Sequence, residues 1–176
     1  GSMNIHQILR HHLLFRSLCA DQMRQACQEA KWVSVKRNDY LFTQGDPANT
    51  FFYLEEGQIK LVLLSPGGNE KILEIVNPGA TFAEATMFSK ARHYPVVAQA
   101  MKDSRLIAIN SARYHAVLLQ SNETCISLLG DMSRRMHGFI HEIYTLTLSD
   151  ATCRVAGYLL AEMAQKGPHF DLEAPK

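Results

Sequence analysis

Apolar residues recur at helical spacing over residues 4–30, with Ile5, Ile8, Leu9, Leu13 and Leu14 on one face. A second helix, from about Ala20 to Ala30, is expected to start at Asp21. From Trp32 the period shortens to two. Residues 32–35, 40–42, 51–54, 59–62 and 72–75 are rich in aromatic and branched side chains and predict short strands. Turn chemistry separates them at Gln44-Gly45-Asp46-Pro47, Glu56-Gly57, Pro66-Gly67-Gly68-Asn69 and Asn77-Pro78-Gly79. Two further strands, 96–101 and 104–109, complete what the spacing predicts to be an antiparallel barrel or double-sheet roll.

Beyond Asn110 the helical period returns. Ser111 is the expected cap of a short helix ending near Gln120, and Ser121 or Asn122 that of the next. Cys125, Leu129, Met132, Met136, Phe139, Ile143 and Leu146 follow at alternating steps of four and three. That is a coiled-coil seam, whose simplest use is pairing with the same helix of a second copy. A second stripe of Ile126, Ile140, Tyr144 and His137 is available to face the roll. Ser149-Asp150 is expected to end this helix and cap another from Ala151 to about Gln165, which Gly167-Pro168 breaks.

Composition narrows the function classes. The 176 residues suffice for one domain with part of a second, and the formal charge is only +1. Apart from Arg134-Arg135 the basic residues are dispersed, so a nucleic-acid footprint is lacking. Cys19, Cys27, Cys125 and Cys153 show neither CxxC nor metal-knuckle spacing and are expected to be reduced. No apolar run reaches membrane-spanning length and no signal segment opens the chain, which predicts a soluble, cytoplasmic protein with no membrane partner. Gly1-Ser2-Met3 is read as an expression scar. Catalytic signatures are missing, and a small β-barrel metalloenzyme would need inward-facing histidines where the roll offers only His93 and His115. The expectation is a binding module and no enzyme.

Residues 79–98, GATFAEATMFSKARHYPVVA, combine a small-residue turn with one carboxylate, Glu84. Such a turn lets backbone N–H groups approach a ligand. The segment resembles, with changes, the phosphate-binding cassette of cyclic nucleotide-binding domains in the CRP/FNR family of bacterial transcription regulators. There a Gly-Glu-x-Gly/Ala turn is followed by Arg-Ser, with Glu on the ribose hydroxyl and Arg on the cyclic phosphate. Here Glu84 is kept, but the Arg-Ser positions fall on Tyr94 and Pro95. The glycine order at Gly45, Gly57, Gly67 and Gly79, and the stretch from Met132 through Arg154-Val155-Ala156 to Leu160, are similar to the family's roll, dimerisation helix and hinge.

The resemblance implies a mainly β fold with α, a cyclic nucleotide-binding-domain-like antiparallel β-roll of jelly-roll type. N-terminal helices and a long C-terminal dimerisation helix flank it. The expected organisation is a sensing domain over 4–120, a dimerisation helix over 121–149, and over 150–176 the start of a truncated winged helix-turn-helix DNA-binding domain. The implied partners are a second copy, DNA through the absent domain, and RNA polymerase. Thr81-Phe82-Ala83-Glu84-Ala85, Met87-Phe88, Tyr94 and His11-His12-Leu13 are most similar to the DNR branch, which implies haem-dependent nitric oxide sensing in denitrification.

A phosphate monoanion needs an Arg fork or several N–H donors, which Tyr94 and Pro95 do not supply. Arg92 lies two residues away, and a loop Arg is more often solvated. The adenine-reading Thr-Ser pair of cyclic-AMP-binding members falls on Phe139-Ile140. Cyclic nucleotide binding is therefore the alternative, and the expected ligand is haem or another flat apolar molecule. Its expected pocket is lined by Phe82, Ala83, Glu84, Met87, Tyr94, Val96, Val97, Met136, Phe139 and Ile140. The same residues would equally fill a core. Candidate axial ligands are His11, His12, His93 and His137, with Tyr94 a further donor. His137 and His141 sit one turn apart without an evident third ligand, so no metal other than haem iron is expected. Glu84 is either a polar anchor or an ordinary turn carboxylate.

Overall fold

The computed structural model describes residues 3–166, with the backbone alone at 148–150, 153 and 164–166. The readings made for Gly1-Ser2 and for 167–176 lie outside the described residues.

Two short helices open the chain. α1 (Ile5–Leu9) is capped reciprocally: Gln7 N–H donates to the Asn4 side chain at 3.1 Å, and Asn4 N–H to the Gln7 side chain at 3.0 Å. α2 (Ala20–Ala26) starts at Cys19, whose N–H donates to Gln22 Oε1 at 2.9 Å. Asp21, the expected start, lies in the first turn and pairs with Arg24.

Among the described residues, eight antiparallel strands then form two four-stranded sheets. One has the order β1 (Lys31–Val35), β8 (Ser104–Asn110), β3 (Thr50–Glu56), β6 (Thr81–Phe82). The other has the order β2 (Tyr40–Phe42), β7 (Val97–Ala100), β4 (Ile59–Leu64), β5 (Glu70–Val76). Alternation along the central strands assigns their side chains to two cores. Phe51, Ile107 and Ile109 join Leu9, Phe15 and Tyr114 beneath the helices. Their neighbours Phe52, Leu54, Leu106 and Ala108 join Phe42, Ile59 and Phe82 in a second cluster. β3 and β8 are thus buried on both faces, which is why 51–54 reads as a continuous apolar run.

α4 (Ser111–Gln120) is capped by Asn110, whose Oδ1 accepts from Arg113 N–H at 3.0 Å. The expected cap, Ser111, is one residue inside. α5 (Asn122–Lys166) starts where Ser121 Oγ accepts from Thr124 N–H at 3.1 Å. It runs through Ser149-Asp150 without the expected break. A capping residue starts a helix only where the preceding chain has left helical geometry, and no glycine or proline stands between Gly138 and Gly157 to force that. By compactness the chain divides into Gly1–Leu129 and Gly130–Lys176, a boundary inside α5.

Candidate effector site

The cassette begins with β6, where Thr81 and Phe82 pair with Tyr53 and Phe52 of β3. Ala83 then takes a left-handed conformation, φ +66°, and turns the chain into α3 (Ala85–Phe88), with Glu84 at its N-cap position. Thr86 Oγ donates to the Ala83 carbonyl and Ser89 Oγ to the Ala85 carbonyl, each at 2.7 Å. Neither β6 nor α3 is predicted from periodicity. Elements of two and four residues span only about one repeat of a strand or a helix, too little for a period to be recognised.

Tyr94, at the position where the resemblance places a phosphate-binding Arg, points into the second cluster and is 5% exposed. Its ring stacks on Phe42 with centroids 3.7 Å apart and 13° between planes. Phe42 in turn stacks on Phe52, and Phe52 on Phe82. The phenol donates to the Thr50 carbonyl at 2.6 Å, with the Thr50 hydroxyl 3.2 Å away. Burial pushes the phenol above its ordinary value, partly opposed by the Thr50 hydrogen bonds, with Asp46 adding to the rise. A phenol so engaged and kept protonated is no iron ligand, which corrects that reading of Tyr94.

Within the first unit the predicted pocket residues divide between the two clusters. Phe82, Tyr94 and Val96 belong to the second cluster, Met87 packs against the first, and Ala83 touches both. Phe82 and Val97 are buried. Met136, Phe139 and Ile140 lie in the other compact unit, on an exposed stretch of α5. Within the first unit, therefore, the expected lining is mostly packed core. The stack of Phe42 and Phe52 and the hydrogen bond to Thr50 were missed because strand alternation marks a buried face without marking its partners.

Of the candidate ligands, His11, His93 and His137 are exposed. His12 is half-buried and reaches the cassette: Leu14 N–H donates to its Nδ1 at 3.1 Å, and Nε2 lies 3.4 Å from Thr81 Oγ. Its ring meets Tyr53 edge-on at 5.9 Å. Because Nδ1 accepts, Nε2 carries the proton of the neutral ring. The lone pair that iron needs is already committed, so His12 as held here does not fit axial ligation. Among the described residues no cluster of three or more His, Cys, Asp or Glu side chains is placed to hold a metal ion.

Along α5, Leu129, Met132, Met136, Phe139, Ile143 and Leu146 are 39–64% exposed. Ile126, Ile140 and Tyr144, the stripe read as facing the roll, are exposed as well. Cys125 departs from the seam: its thiol donates to the Leu118 carbonyl at 3.1 Å and it packs against the first core cluster. Arg135 lies over the Phe139 ring at 5.5 Å, and Arg134 pairs with the buried Asp131. No helix among the described residues is long and apolar enough to cross a membrane.

The family model for the cyclic nucleotide-binding domain matches residues 32–121. The crystal structure of DNR from Pseudomonas aeruginosa is 36% identical with a TM-score of 0.79, covering 100% of this chain and 74% of that one. That protein's sensor domain gives 36% identity and a TM-score of 0.68, over 78% of this chain and 91% of the domain. The cyclic AMP receptor protein of Thermus thermophilus is 25% identical over 160 residues, 90% of this chain and 74% of that protein. The cAMP-activated global transcriptional regulator CRP of Pasteurella multocida is 24% identical over 133 residues, and the match spans 64% of its length.

Proposed function

This chain belongs to the CRP/FNR family of cyclic nucleotide-binding-domain transcription regulators and resembles DNR, and from that premise we propose that it is a sensing and dimerisation region answering an apolar effector. The effector proposed is haem, with nitric oxide as the signal read on it. The likeness to DNR supports that choice. Residues 150–176 are proposed as the start of the DNA-reading domain, and a cytoplasmic regulator with a role in denitrification follows from the same likeness.

One observation carries the preference over a cyclic nucleotide: Tyr94 is turned inward, stacked on Phe42 and bonded to Thr50. A phosphate monoanion at the cassette would lack the guanidinium fork that normally holds it. If haem binds, the candidate ligands able to offer iron a lone pair without first breaking the Leu14 hydrogen bond are the exposed His11, His93 and His137.

The test is spectroscopic. Apo-protein titrated with hemin is expected to give a saturable one-to-one Soret band that shifts on adding nitric oxide. The band persists in His12→Ala and is lost in one of His11→Ala, His93→Ala or His137→Ala. Calorimetry with cyclic AMP and cyclic GMP is expected to show no binding. Micromolar cyclic nucleotide affinity, or no saturable hemin uptake, would reject the reading.

A further inference from the structure

His137 and His141 stand one turn apart in α5, which is helical without interruption around them. Residues four apart on a helix share a face, with Cβ atoms about 5–6 Å apart. Helical side chains lean toward the N-terminus, so a side chain at 141 covers the turn that carries His137 and Gly138. Both histidines are exposed, and among the described residues neither imidazole has a hydrogen-bonding or ionic partner. Their lone pairs are available, unlike that of His12 Nδ1, which accepts from Leu14 N–H.

The groups beside the pair favour a cation. Arg134 reaches back toward the N-terminus to pair with Asp131, and the Arg135 guanidinium lies 5.5 Å from the Phe139 ring centroid. Both positive charges just before the pair are thus engaged elsewhere. Gly138 is a costly residue in mid-helix, and a Cβ there would meet nothing within 4 Å, so no close approach among the described residues demands it. Counting Met136 as heptad position a, His137, Gly138 and His141 take positions b, c and f, which face away from the seam. The missing side chain leaves room beside both rings.

We propose that His137 and His141 clamp a divalent transition-metal ion of the zinc type on the outer face of α5. Imidazole is a donor that such ions accept well, at about 2.0–2.1 Å from nitrogen to zinc. Each neutral ring gives one lone pair and displaces one water from the ion, and the remaining waters complete its shell. The lack of a third protein ligand, which counts against a metal in the sequence, is met by solvent on this exposed face. Because both ligands belong to one turn, the ion staples α5 across Gly138, where the helix is intrinsically weakest. The site needs both rings, and His141 is no haem candidate, so it stands apart from the haem reading.

Calorimetric titration of the haem-free chain with zinc chloride tests this, with magnesium chloride as the control. One saturable zinc event per chain is expected, and magnesium gives none. That event is lost in His137→Ala and in His141→Ala, each with the circular dichroism of the native chain. His141→Ala combined with Thr145→His keeps the histidine count but sets the rings two turns apart, and it is expected not to restore the event. Zinc is also expected to slow amide hydrogen exchange at His141, whose N–H closes the bridged turn, with β8 amides unchanged. No saturable zinc uptake, uptake that survives either single substitution or returns in the respaced variant, or exchange at His141 indifferent to zinc would overturn the proposal.

Discussion

Cys27 lies in the first core cluster, and burial pushes its thiol from the usual value near 9 up to about 11. The nucleophile is the thiolate, so reactivity follows exposure and ionisation together. Cys19, exposed at the start of α2, is expected to react fully with iodoacetamide at pH 8 in the native protein, while Cys27 reacts only on unfolding. The raised value also fixes a sign. Below pH 9 the thiol is protonated in both states and its full contribution to stability is present. Between 9 and 11 the unfolded chain loses the proton and the folded one does not, so stability falls as pH rises. Denaturant midpoints that decline less steeply across that window in Cys27→Ala than in the native protein would bear this out; identical slopes would refute it. The same scale shows what residue identity hides. Tyr94 could be read as a lost phosphate clamp, but its turn toward Thr50 depends on a partner 44 positions away. The tautomer of His12 depends on a main-chain N–H that no spacing reveals.

Among the glycines of the described residues, Gly57, in the turn joining β3 and β4, leaves the least room for a side chain. Gly57 has φ +98°, and a Cβ there would lie 2.2 Å from Ser104 Oγ and 2.6 Å from the Asp103 carbonyl. Ser104 Oγ is already committed, accepting from Gln58 N–H at 3.1 Å and donating to the Lys102 carbonyl at 2.7 Å. Gly57→Ala therefore combines left-handed strain with overpacking at the start of β8 and is expected to cost about 3 kcal/mol. Gly45→Ala has a similar φ, +92°, but open space around the new methyl, and should cost about 1 kcal/mol. Equal losses in thermal denaturation would show that the close approach at Gly57 carries no weight. These turns were legible because glycine punctuates strands of period two. β6 and α3 were not, since each spans only about one repeat and a period needs several to show. The continuity of α5 through Ser149-Asp150 was missed for the opposite reason: residues that can cap a helix sit inside one that nothing interrupts.

At the scale of the whole molecule, the exposed seam on α5 has to be reconciled with water. Leu129, Met132, Met136, Phe139, Ile143 and Leu146 keep coiled-coil spacing and are 39–64% exposed in one chain. Fully burying such a side chain contributes on the order of 1.5–3 kcal/mol, so a partner that covers all six offsets much of the cost of association. The spacing was legible from sequence because a heptad is long enough to be counted; the partner was not, because a seam does not say whether a second copy or the same chain covers it. Exposure of the seam supports a second copy as the proposed partner, and with Cys125 committed to Leu118 the proposed interface would start at Leu129. Light scattering on the native chain is expected to give the mass of a dimer, and Phe139→Asp or Ile143→Asp the mass of a monomer with the roll's circular dichroism retained. Leu119→Asp, at a still more exposed apolar residue of α4 outside the seam, should leave the dimer intact. A dimer that survives both seam substitutions would place the contact elsewhere, whereas one lost equally in Leu119→Asp would reduce it to general stickiness of apolar surface. Only loss confined to the seam is what a two-stranded helical interface requires.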